Sequence, residues 1–142
     1  MKLKTAIFLS FLCTSSVVSA DVLVIVNAKN PVENLERRQV VDLFMGRVTA
    51  FASHQPAKTF DFPSGTPERE MFYKLLTGKS EAQIDAYWAT LIFAGRMLPP
   101  KLLPTDDAMI EAVAQNPSAI AYVAEQPLPT SVKVVMTLKS DQ

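Results

Sequence analysis

The chain has 142 residues, with fourteen basic and fourteen acidic side chains, one histidine, one cysteine and a formal net charge of zero. That balance argues against general nucleic-acid binding, which needs a concentrated basic face. The length suits one domain with a sizeable core.

The N-terminal stretch reads as a leader. Met1-Lys2-Leu3-Lys4 is positively charged, Ala6 to Leu12 is apolar apart from Ser10, and Val18-Ser19-Ala20 ends in small residues. This is the three-part layout of a secretory signal peptide. The apolar run is far short of the ~20 residues that a spanning helix needs. Cleavage is expected after Ala20, leaving residues 21–142 as an exported, soluble domain. Cys13 follows Leu12, whereas acylation signals want a small residue there, so this cysteine leaves with the leader. Twelve basic side chains then stand against fourteen acidic ones over 122 residues, a net of −2. A mature chain without cysteine has no disulfide, thiolate nucleophile or cysteine-ligated metal.

Residues 21–27, DVLVIVN, are apolar and β-branched with little alternation, which predicts a strand buried on both faces, as in a parallel sheet. Asn34 is the expected cap of a helix over 35–45, and Gly46 fits its C′ position. Residues 47–56 read as loop and 57–62 as a second strand. Thr66-Pro67 is an N-cap followed by proline at the first helical position, opening a helix to Leu76 with a buried stripe of Met71, Phe72, Leu75 and Leu76. Thr77-Gly78 closes it. Ser80 and Gln83 form a capping box for a helix carrying Ile84, Tyr87, Trp88, Leu91 and Ile92, which stops near Gly95. Pro99, Pro100 and Pro104 make a stiff connection. Thr105 caps a helix over 106–115, with Asp106 and Asp107 well placed in its first turn. Residues 118–123 and 131–138 are the last two strands. Mixed strands and helices with short connectors predict an α/β layered domain.

Ser64-Gly65-Thr66 is the candidate site. It lies between a strand and a helix N-terminus, where free N–H groups and the positive dipole end suit an oxyanion and glycine allows close approach. Hydroxyls of Ser64 and Thr66 add donors. The same residues are equally the makings of a capped helix and no more. Glu68 and Glu70 already complement the dipole and repel an anion, and Arg69 offsets them if it points to the turn. Arg96 and Lys101 flank the proline pair as either a second cation wall or exposed solubilising charge. Asn27 ends the first strand as either a polar ligand or a turn residue bonded to backbone. Helical spacing makes most of Tyr87, Trp88 and Phe93 core rather than an aromatic binding patch. His54 has no cysteine or carboxylate cluster beside it, and no metal site is expected. No nucleophile–base pair, catalytic carboxylate pair or lysine phosphate loop is present, so no enzyme signature and no cofactor motif is read.

Taken in order, Val26-Asn27, Asp42-Leu43-Phe44-Met45-Gly46-Arg47, Ser64-Gly65-Thr66 ahead of Phe72, and Ser118-Ala119-Ile120-Ala121-Tyr122-Val123 resemble the phosphate-binding protein of bacterial phosphate ABC transporters and its short exported relatives. The resemblance covers nearly all of residues 21–142 and matches the second, inserted lobe of that two-lobed family. It implies a single three-layer lobe of the periplasmic-binding-protein type 2-like fold, with a mixed sheet flanked by helices, in a periplasmic protein. It implies inorganic phosphate or a related oxyanion as ligand, with Ser64, Gly65 and Thr66 carried over and Asn27 matching a family asparagine. Arg69, if it points to the turn, and Arg96, as part of a second cation wall, are the candidate cations. Phe60 stands where the family's turn holds its arginine. A homodimer or a separate partner lobe would complete the cleft, and an ABC permease is the implied partner. The alternative is a module that keeps the fold, has lost the ligand, and docks a membrane sensor or envelope protein.

Overall fold

A computed structural model describes residues 20–140. The leader and Cys13 lie outside the described residues, Ala20 excepted. The elements are β1 (Val22–Asn27), α1 (Arg37–Phe44), β2 (Lys58–Asp61), α2 (Pro67–Thr77), α3 (Glu81–Phe93), β3 (Lys101–Leu102), α4 (Asp106–Gln115), β4 (Ala119–Ala124) and β5 (Val132–Leu138).

Local chemistry sets most of these boundaries. The Ser80 hydroxyl accepts from the Gln83 N–H, and the Gln83 side chain accepts from the Ser80 N–H, so the capping box starts α3 as expected. Thr105 accepts from the Ala108 N–H and starts α4. Gly78 ends α2 at φ +73°, the left-handed region that glycine enters without steric cost. Two expected caps differ. α1 starts later than expected, with Glu36 rather than Asn34 at the N-cap, because Glu36 and Gln39 form the reciprocal capping box. Thr66 occupies the N-cap position of α2, but its hydroxyl donates to the Pro63 carbonyl and caps nothing.

The sheet order is β3-β2-β4-β1-β5. β2 is parallel to β3 and β4, whereas β1 is antiparallel to both β4 and β5. β1 therefore runs against the other four strands. This corrects the parallel reading of residues 21–27. Full burial of all six β1 residues reports a central strand covered on both faces, and says nothing of its direction. β3 is a two-residue edge strand within what the sequence presents as a proline connector.

Helices cover both faces. Val24 pairs with Tyr122, so the two share a face, and Tyr122 stacks on Phe72 of α2 with ring centroids 3.6 Å apart. Asn27, three residues from Val24 and so on the other face, donates to the Val113 and Ala114 carbonyls of α4. The result is an α/β mixed sheet flanked by helices. Among the described residues the core runs from Val22 to Leu138. Phe44, Phe62, Phe72, Tyr73 and Tyr122 form an aromatic layer on the α1–α2 side, mostly in edge-on contact.

Candidate functional site

The turn at Ser64-Gly65-Thr66 leaves the C-terminal end of β2 and enters α2, which is where open α/β sheets place ligands. Its foundation is Asp61, the last residue of β2, which is 1% exposed. Asp61 accepts from the Phe62 N–H at 2.8 Å, the Tyr73 hydroxyl at 2.7 Å, the Tyr122 hydroxyl, and Arg69 Nε at 3.4 Å. The aromatic layer thus ends in two phenols that serve one buried carboxylate. Burial pushes the Asp61 carboxyl above the usual carboxylate range, and the bonds from Tyr122 and Tyr73 and the charge of Arg69 offset this only in part. Burial beside that carboxylate raises both phenols as well, so they remain donors.

Arg69 does point to the turn. It is 6% exposed, and its NH1 donates to Glu81 Oε1 at 3.1 Å and Asp85 Oδ1 at 2.8 Å. Burial works against its charge, but Asp61, Asp85 and Glu81 outweigh that and raise its pKa further. The turn itself is filled by the same two carboxylates. The Gly65 N–H donates to Glu81 Oε1 at 2.7 Å, and the Ser64 hydroxyl donates to Asp85 Oδ2 at 2.6 Å. Burial is the largest influence on Asp85 and acts upward, yet Ser64 and Arg69 together leave its pKa below the ordinary value. The Ser64 hydroxyl and the Gly65 N–H are thus both taken up by carboxylates of α3. With Asp61, Glu81 and Asp85 set against Arg69, the cluster carries an excess of negative charge.

Beside it lies a cavity of about 170 Å³ whose walls include Asp61, Ser64, Arg69, Asp85, Trp88 and Pro99. The Trp88 indole N–H is buried without an acceptor. It lies near enough to the Tyr73 oxygen to favour its anion, but makes no hydrogen bond to it.

The other expected site residues lie elsewhere. Because β1 runs against β2, the C-terminal ends of the two strands are at opposite ends of the sheet. Asn27 is therefore remote from the turn, with its side chain committed to α4 and to the Lys29 N–H. Arg96 lines a different cavity, with Lys58 and Lys101, across Trp88 and the proline pair. Phe60 is a core residue with Lys58 Nζ 5.5 Å from its ring centroid. Glu81, Asp85 and Asp61 escaped the sequence reading. The first two had a signal: Glu81, Asp85 and Trp88 are spaced i, i+4 and i+7, which places both carboxylates on the buried stripe of α3. No group of three or more histidine, cysteine or acidic side chains suited to a metal ion occurs among the described residues.

No family model matches the chain, and no curated protein matches it. Solved structures do. An ABC-type phosphate transport receptor from Vibrio cholerae matches with a TM-score of 0.63 at 20% identity, over 82% of this chain and 46% of its own. A candidate phosphate ABC transporter substrate-binding protein from Clostridium perfringens, solved with bound phosphate, matches with a TM-score of 0.65 at 20% identity, over 82% of this chain and 45% of its own. PstS from Borrelia burgdorferi matches with a TM-score of 0.57 at 11% identity, over 74% of this chain and 41% of its own. The chain spans less than half the length of these proteins. What it shares with them is a fold: a mixed, helix-flanked sheet similar to one part of the phosphate ABC transporter substrate-binding proteins.

Proposed function

We propose that this protein is an exported, periplasmic, non-enzymatic module that keeps the fold of a phosphate-binding lobe, and whose oxyanion turn is held by its own carboxylates. In this state it works through contact with an envelope partner or membrane sensor rather than as a phosphate carrier. One observation carries this reading. The Gly65 N–H, the Ser64 hydroxyl and the Arg69 guanidinium, which are the donors an incoming phosphate needs, are bonded to Glu81 and Asp85. An arriving dianion meets a site of excess negative charge with its donors taken, and an internal carboxylate competes at high effective concentration.

A second reading is weak binding of phosphate or a related oxyanion, linked to phosphate ABC transport through a permease, with a homodimer or partner lobe completing the cleft. It is favoured by the buried Trp88 N–H, which has no acceptor and belongs to a residue that lines the adjoining cavity. Calorimetric titration of residues 21–142 with phosphate and sulfate separates the two. The module reading expects no heat from the wild type up to millimolar ligand, and binding in a Glu81→Gln/Asp85→Asn variant, whose turn is freed. Micromolar binding by the wild type would establish the carrier reading and end the first. Silence from both proteins would remove Ser64, Gly65, Thr66 and Arg69 as an anion site.

A further inference from the structure

The α3–β3 corner, residues 92–102, has the opposite character to the turn. Phe93 is 97% exposed and Leu98 92%, with Ile92 and Leu102 about half exposed beside them. Arg96 and Lys101 lie in the same stretch, both exposed, and neither makes an ion pair or side-chain hydrogen bond among the described residues. From Ala86 to Thr105 the sequence has no acidic residue, in a protein that is otherwise slightly acidic. A cavity of about 530 Å³ opens behind this corner. Its walls are mainly apolar, its cations are Lys58, Arg96 and Lys101, and no carboxylate lines it.

We propose that this corner docks on an anionic phospholipid surface, with Phe93 and Leu98 entering the acyl boundary and Arg96 and Lys101 lying on the headgroups. Two bulky apolar side chains standing in water beside unpaired cations are the pattern of an interfacial anchor. The charge complementarity names the occupant. A second copy would bring Arg96 and Lys101 against their own equivalents, since a two-fold contact pairs a patch with itself. An anionic bilayer supplies the missing negative charge and the apolar layer together. No described helix is long and apolar enough to cross the membrane, so the contact is peripheral. The proposal does not depend on how the oxyanion turn is used.

Co-sedimentation of residues 21–142, free of the apolar leader, with large unilamellar vesicles tests it. Vesicles of phosphatidylcholine alone are compared with vesicles containing about one-third phosphatidylglycerol. The protein is expected to partition roughly 25-fold more strongly onto the anionic vesicles, from two cations each adding about fivefold. Arg96→Gln/Lys101→Gln should fall to the phosphatidylcholine level, and half-molar salt should do the same to the wild type. Phe93→Ser/Leu98→Ser should lose binding to both vesicles, with an unchanged far-ultraviolet circular dichroism spectrum. Equal partition onto the two vesicles, no partition at all, or unchanged binding by Phe93→Ser/Leu98→Ser would each overturn the proposal. So would sedimentation velocity showing a dimer that the serine variant dissolves.

Discussion

The oxyanion turn and the α3–β3 corner lie on either side of Trp88 and differ in how they treat charge. At the turn the buried charged groups have internal partners: Arg69 meets three carboxylates, and Asp61 meets four donors. At the corner the cations have none among the described residues, and the large apolar side chains stand in water. Internal satisfaction gives rigidity and leaves little affinity for a ligand, because any newcomer must displace a tethered competitor. An unsatisfied surface adds nothing to folding and is available for contact. In this fold the sequence motif marks the first region, while the surface open to a partner is the second.

Substitutions should separate the two regions by size of effect. Arg69→Met should be the most damaging, at about 3–5 kcal/mol in urea denaturation, because it strands a buried carboxylate without its cation. A cost below 1 kcal/mol would mean that the cluster is not the keystone it looks to be. Gly46→Ala should cost about 2 kcal/mol or more. Gly46 sits at φ +69°, and a Cβ there would lie 2.8 Å from Trp88 and 2.9 Å from Met97. Trp88 fluorescence should shift with it, which reads the wall shared by the two regions. Tyr122→Phe keeps the ring stacked on Phe72 but removes one donor from Asp61, and should cost about 1–3 kcal/mol by thermal unfolding.

Asp85→Asn should matter least of the cluster, by roughly 0.5 kcal/mol near neutral pH, since the Asp85 side chain is 45% exposed and screened. Its sign with pH is definite. The folded pKa lies below the unfolded 3.8, so the contribution is present above 3.8 and fades as pH falls through the lower folded value. The gap between wild type and variant should therefore close in strong acid. Asp61 acts oppositely: its raised pKa means that the folded state holds its proton more readily, so ionisation works against the fold as pH rises from 3.8. A wild-type–Asp85→Asn gap that widens in acid would contradict this assignment. At the corner, Phe93→Ser should change stability by no more than about 0.5 kcal/mol.

How far the sequence could be read follows from the range of each signal. Caps and helix stops act over three or four residues, and Ser80 with Gln83, Thr105 and Gly78 are all legible. Strand direction depends on partners about a hundred residues away, so six buried β1 residues fit either sense. Asn27 enters the site only through its match to a family asparagine, and its side chain takes the other reading, a residue bonded to backbone. β3 escaped because two residues between prolines carry no period. The sequence leaves open whether Arg69 points to the turn, and the tertiary placement of Asp61, Glu81 and Asp85 decides it. Phe93 shares the helical spacing of core residues, yet it is the last residue of α3 and stands exposed.

The lone reversed strand has a consequence for how the molecule is made. β1 is the earliest of the fold's strands to leave the ribosome, yet both its neighbours, β4 and β5, are the last two. Its pairing must wait for nearly the whole domain, and closing so long a loop is slow. Until then the stretch Val22-Leu23-Val24-Ile25-Val26 is an unpaired apolar segment, of the kind that aggregates or recruits a holdase. The centre of the finished sheet is thus a vulnerable piece of the nascent chain, and a chain lacking residues 132–138 should leave β1 as an edge strand, paired with β4 alone.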